Sequence, residues 1–234
     1  IYFFTRTAED TYTVSAMVEG NGTAIYRVDY VDLNGSGCKE VVVSWQMSTG
    51  VYLLGTYSLE EAMVRSLQYA ASAPAGSATA QGLPDREALR ATEWMTTVYD
   101  DYALYDLDQD TRTELAVVRV DKAGTNSAVD LYGWRDGSFM VRASTPLSMG
   151  ISSVEKNGVE TNFLKEDGDV PVRALYVSSE LADGHHVVDV VAYQDGNLKN
   201  LSLDENGVSR EMLDRYVDLE PTDVNGDGVL ELPT

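Results

Sequence analysis

The chain has 234 residues, 44% of them hydrophobic and 24% charged, with 38 acidic residues against 17 basic ones and a formal net charge of −21. That imbalance argues against nucleic acid and anionic membrane surfaces as partners, since both need positive patches. No apolar run approaches the roughly 20 residues of a membrane-spanning helix, and the single cysteine, Cys38, excludes a disulfide within the chain.

Short apolar runs rich in Val, Leu and Tyr, divided by Gly, Asp and Asn, give the whole chain a strand-and-turn composition. Residues 1–31 read as a first hairpin repeat, with Asn21-Gly22 as its turn. The segment Asp32-Leu33-Asn34-Gly35-Ser36-Gly37-Cys38-Lys39-Glu40 then opens a repeat spanning about 32–58. An insertion follows over 59–97. Leu59, Met63, Val64 and Leu67 fall on one helical stripe, and Ser58 with Glu61 resembles a capping box. Ala71–Gly82 reads as a small, polar loop, and Asp85–Met95 as a second short helix. The insertion is either a plain connection or a cap.

Asp106-Leu107-Asp108-Gln109-Asp110-Thr111-Arg112-Thr113-Glu114 is a second copy of the loop, opening a repeat over about 106–145. Leu115–Gly137 aligns with Ala174–Gly196 without a gap, and both close on Asp-Gly, at Asp136-Gly137 and Asp195-Gly196. Asp-Gly and Asn-Gly between apolar runs predict tight hairpins, because both tolerate positive φ. The same frame puts Lys165–Arg173 over Asp106–Glu114. It reads as a decayed loop opening a repeat over about 165–203, whose cations Lys165 and Arg173 take over the charge of a metal. His185-His186 falls in a polar turn of that repeat, where adjacent side chains point to opposite faces and make a poor shared metal site. A last copy, Asp223-Val224-Asn225-Gly226-Asp227-Gly228-Val229-Leu230-Glu231, lies in 223–234.

These loops place oxygen side chains at positions 1, 3, 5 and 9, the donor set that a hard cation such as calcium requires. The plain alternative is Asp/Asn/Gly turns without metal, held by Asx hydrogen bonds. An EF-hand is excluded, since position 12 would be Val43, Val117 or Thr234, each in an apolar run rather than a helix. Position 7 ligates through its backbone carbonyl, which leaves the Cys38 thiol incidental. No nucleophile elbow, Walker loop or His-Glu-x-x-His motif is present. Trp45, Trp94 and Trp134 are either core residues or platforms for sugar rings.

The Asp-x-Asn-Gly-Asp-Gly pattern, followed by an acid and an apolar strand, resembles the calcium loops of FG-GAP and VCBS repeats. Those loops lead into strands of β-propeller blades. The resemblance implies side-chain ligands Asp32, Asn34, Ser36 and Glu40 in a first site; Asp106, Asp108, Asp110 and Glu114 in a second; and Asp223, Asn225, Asp227 and Glu231 in a third. The carbonyls of Cys38, Arg112 and Val229 would complete the shells. Position 9 is Glu here, where the families usually have Asp, and the Phe-Gly and Gly-Ala-Pro signatures are not apparent.

The expected fold is therefore all-β, a propeller-like array of about four small antiparallel sheets with a short helical insertion. Ile1 falls mid-repeat, so the chain is expected either to be the ordered part of a longer protein or to close as a ring. The resemblance implies an exported, monomeric, calcium-stabilised binding or scaffold module at the cell surface, its partner a protein or glycan. The alternative is an enzyme or enzyme-accessory domain acting on extracellular polysaccharide.

Overall fold

The computed structural model describes residues 1–6, 10–20, 22–72, 86–123, 125–164, 172–207 and 212–213. The chain divides into two compact units, 1–98 and 99–234.

In the first unit, β1 (Tyr2–Arg6) and β2 (Tyr12–Met17) form a two-stranded antiparallel sheet. A four-stranded antiparallel sheet follows in the order β3 (Ala24–Val31), β4 (Glu40–Gln46), β5 (Tyr52–Ser58) and β6 (Thr92–Tyr99). The strand after Asn21-Gly22 thus pairs forward with β4 and not back with β2, because loop 32–40 closes β3 onto β4 with Val31 opposite Glu40. Val41, Val43, Trp45 and Tyr57 alternate inward to form the core with Val18 and Ala91, and Phe3 packs against them. The indole of Trp45 lies directly on Gly20, where an added Cβ would come within 2.3 Å of the ring.

The insertion carries α1 (Glu60–Ser72) and α2 (Arg86–Leu89). Ser58 Oγ accepts the amide of Glu60, the N-cap interaction expected from the sequence. The helix does not bury the stripe of Met63, Val64 and Leu67, all of which are exposed. It buries Ala62 and Ser66 instead, and Ser66 Oγ donates to the carbonyl of Val14. Small residues let the helix backbone approach β2 closely enough for that bond.

The second helix is shorter than the expected Asp85–Met95. Asp85 lies outside the described residues, and Thr92–Met95 belongs to β6. The amide of Ala91 donates to Met17, which ends the helix, and the Thr96-Thr97-Val98 run favours an extended chain.

The second unit repeats one pattern. Its first sheet is a meander of β7 (Asp101–Tyr105), β8 (Glu114–Arg119), β9 (Ala128–Arg135) and β10 (Ser138–Pro146). Its second runs β11 (Ile151–Leu164), β12 (Val172–Leu181), β13 (His186–Gln194) and β14 (Asn197–Asn200), with β15 (Met212–Leu213) also paired to β13. Asp136-Gly137 has φ of 50° and 80°, and Asp195-Gly196 has 53° and 78°. Both are the two-residue, doubly positive turns read from the sequence. The sheets pack face to face over a shared core that includes Ala116, Val118, Leu131, Leu175, Val177 and Val191. β7 lies against β11 and β10 against β14, so equivalent strands stack as in adjacent propeller blades.

Among the described residues the fold is all-β, with four antiparallel sheets and a short helical insertion between β5 and β6, and the two sheets of the second unit stack in a propeller-like manner. Among the described residues no helix is long and apolar enough to cross a membrane.

Candidate metal centre

Both described copies of the loop occupy one place in their sheets: 32–40 joins β3 to β4, and 106–114 joins β7 to β8. Their internal bonding also matches position by position. The position-9 carboxylate turns back to cap the second residue of its loop: Glu40 Oε2 accepts the amide of Leu33 at 2.8 Å, and Glu114 Oε2 that of Leu107 at 2.9 Å. The position-3 side chain accepts the position-5 amide, Ser36 onto Asn34 at 2.8 Å and Asp110 onto Asp108 at 3.1 Å. The position-5 oxygen accepts the position-7 amide, Cys38 onto Ser36 at 3.2 Å and Arg112 onto Asp110 at 2.9 Å. Positions 4 and 6 have positive φ in both: Gly35 and Gly37 at 72° and 82°, Gln109 and Thr111 at 60° and 75°.

The loops differ at position 1. Asp32 is turned onto the backbone, with Oδ1 accepting from Gly35 and Ser36 and Oδ2 from Gly37. Asp106 instead joins Asp108 and Glu114, and one oxygen from each lies within 4.8 Å of the others. Oδ1 of Asp106 is buried and has no hydrogen-bond partner among the described residues. An orphaned carboxylate oxygen beside two further carboxylates is a donor set that fits a hard divalent cation.

The electrostatics follow from burial. The Glu114 carboxyl is pushed up to about 7, first by burial, with Asp108 and Asp110 adding repulsion, while the Leu107 amide and Arg142 work the other way. The Glu40 carboxyl is raised as well, chiefly by burial and then by Asp32, against the Leu33 amide.

Two arginines that sequence reasoning did not place here meet the second loop. Arg142 Nη1 lies 2.9 Å from Asp108 Oδ2 and 3.4 Å from Glu114 Oε1. Arg173 Nη1 lies 2.8 Å from Asp106 Oδ2 and also donates to the carbonyl of Asp106 at 2.8 Å. Its guanidinium sits over the Tyr105 ring. Arg173 is position 9 of the decayed loop, so its charge is delivered to the neighbouring loop. Lys165 and the rest of 165–171 lie outside the described residues.

Asp223, Asn225, Asp227, Val229 and Glu231 lie outside the described residues. His185 is half-buried and pairs with Asp183, and His186, also half-buried, opens β13 with Nδ1 2.7 Å from Glu155 Oε1. Trp45 is a core residue, and the Cys38 thiol is free and exposed.

A buried carboxylate without a loop was also missed. Asp189 on β13 accepts the amide and hydroxyl of Ser148, at 3.0 and 2.7 Å, and Asn200 Nδ2 at 2.9 Å. The gapless alignment places Asp189 over Asp130, and a polar residue inside an apolar run was the available signal. Comparison with known proteins finds no family model, no curated protein and no solved structure that matches this chain.

Proposed function

We propose that the protein is a non-enzymatic, calcium-stabilised binding or scaffold module of the extracellular or cell-surface kind, built on FG-GAP- or VCBS-like loops. The observation that supports this reading best is the acidic pocket of loop 106–114, where Asp106, Asp108 and Glu114 converge and one buried Asp106 oxygen has no hydrogen-bond partner among the described residues. Asp110 and the carbonyl of Arg112 are the further donors, and Asp32, Asn34, Ser36, Glu40 and the carbonyl of Cys38 form the equivalent set in the first loop. A cation there neutralises charge that is otherwise concentrated at the ends of strands β4 and β8. At free calcium ten times the dissociation constant, each site adds about 1.4 kcal/mol to stability. Calorimetric titration of chelator-treated protein, with melting followed in parallel, tests this. Saturable binding with a rise in melting temperature, diminished by Asp106→Ala, supports it; no binding up to about ten millimolar, beyond the weak extracellular range, removes it.

One observation favours the second reading, an enzyme or accessory domain for extracellular polysaccharide. A polar cavity of about 280 Å³ lies against the insertion and gathers Glu19 and Glu93 around Tyr57 and Arg90. Glu19 is already paired with Arg86 and Arg90, so this reading ranks second. Release of reducing ends from a panel of polysaccharides, lost on Glu93→Gln, would reverse the order.

A further inference from the structure

Loop 106–114 carries four carboxylates, Asp106, Asp108, Asp110 and Glu114, and two guanidiniums from other strands already stand against three of them. Loop 32–40 carries only Asp32 and Glu40, and among the described residues no ion pair reaches either. The two loops share positive φ at positions 4 and 6 and the hydrogen bonds made by positions 3, 5 and 9; they differ in the turn of the position-1 carboxylate, in the number of carboxylates and in the arginines that stand against them.

The approach of Arg142 is built into the sheet. In the pairing of β10 with β9, Met140 faces Gly133, Val141 faces Tyr132 and Ala143 faces Leu131, which leaves Arg142 as the extra residue of a β-bulge. A bulge re-aims the side chain it carries. Arg142 then crosses Gly133 on β9 to reach Glu114 on β8, one strand further on. A Cβ on Gly133 would sit 2.6 Å from Arg142 Cδ and 3.5 Å from Glu114 Cγ, so glycine is the residue that leaves the path open. Arg173 arrives from the neighbouring sheet, its guanidinium braced over Tyr105 and bonded to both the carbonyl and the carboxylate of Asp106.

We propose that Arg142 and Arg173 are resident cations of loop 106–114, holding it closed without metal and competing with calcium for Asp106, Asp108 and Glu114. This rests on the calcium reading above and adds the residues that set the order in which the loops fill. A divalent ion needs these carboxylates as ligands, and the guanidiniums already occupy them, Arg142 Nη1 bridging Asp108 and Glu114 and Arg173 Nη1 holding Asp106. Calcium entering this loop must therefore displace an arginine, whereas calcium entering loop 32–40 displaces none. Loop 32–40 fills first, and loop 106–114 answers only to higher calcium or to loss of an arginine.

The test is a calcium chloride titration of the ¹⁵N-labelled full chain, in wild type, Arg142→Gln and Arg173→Gln. The amides of Gln109 and Thr111 report one loop and those of Gly35 and Gly37 the other. Glutamine keeps most of each side chain's stem, and a dispersed spectrum with unmoved Gly35 and Gly37 midpoints shows that a variant is folded. The expected result is a midpoint at Gln109 and Thr111 at least ten-fold lower in calcium for one or both variants. Unchanged or weakened midpoints there, with normal saturation at Gly35 and Gly37, would overturn the competition and leave the calcium reading standing. No shift at either loop up to about ten millimolar calcium would overturn both.

Discussion

The carboxylate of Glu114 accepts the backbone amide of Leu107 at 2.9 Å while remaining almost wholly buried. Burial favours its protonated form and raises it from 4.5 to about 7. A carboxyl raised in the folded state contributes stability that is fully present below about pH 4.5 and is lost as pH rises to about 7. At 1.36 kcal/mol per unit the contribution is on the order of 3 kcal/mol, and Glu40 and Asp189, also raised chiefly by burial, act in the same direction. Chelator-treated protein is therefore expected to melt lower at pH 8 than at pH 5, with a smaller difference in Glu114→Gln. Melting curves across this range check it, and a slope identical in wild type and variant would refute it.

Calcium binding to loop 106–114 requires ionised Glu114, so it releases a proton near neutrality. Titrations at pH 7 in two buffers of different ionisation enthalpy should give different apparent heats, and the difference should vanish in Glu114→Gln.

Thr111 has φ of 75° where the first loop has Gly37 at 82°. A left-handed backbone costs an L residue about 1–2 kcal/mol, and glycine escapes that cost. After the added entropy of an unfolded glycine, Thr111→Gly is expected to stabilise the protein by about 0.5–1 kcal/mol. The reciprocal Gly37→Ala should cost about 1 kcal/mol through the backbone alone, since an added Cβ there meets no neighbour. Urea denaturation of both variants measures the pair.

Asp189 is fully buried and satisfies three donors, two of them from Ser148 in the link between β10 and β11. Asp189→Ala leaves those donors without an acceptor and should destabilise the second unit by about 3–5 kcal/mol. Ser148→Ala removes only the hydroxyl and should cost about 1 kcal/mol. Hydrogen exchange at Leu147 and Ser148 would show whether the loosening is local to the link.

Gly133→Ala places a methyl group against Arg142 Cδ. The flexible arginine is expected to yield before the strand does, so the variant should stay folded and bind calcium at Gln109 and Thr111 with the tightening expected of Arg142→Gln.

The parts of the structure legible in the sequence are those whose physics is local. The Asp-Gly turns and the loops encode positive φ and oxygen spacing within a few residues, and the structure reproduces them in register. Arg142 meets Glu114 across 28 positions of chain, and Ser148 meets Asp189 across 41. Only the packing of strands brings such pairs together, and nothing near either residue announces its partner. The face of α1 misleads for another reason. Its apolar stripe is periodic, but close approach to β2 favours the small residues Ala62 and Ser66, and the larger ones remain at the surface.

Cys38 is the chain's single cysteine, and it is exposed at position 7 of loop 32–40, with its amide bonded to Ser36. A thiol-directed fluorophore therefore attaches at one position only, beside the group expected to coordinate through its carbonyl. The labelled protein would report the filling of that single loop by emission, in dilute solution and without interference from its repeats. Site-by-site occupancy then becomes an optical signal that the molecule itself makes addressable.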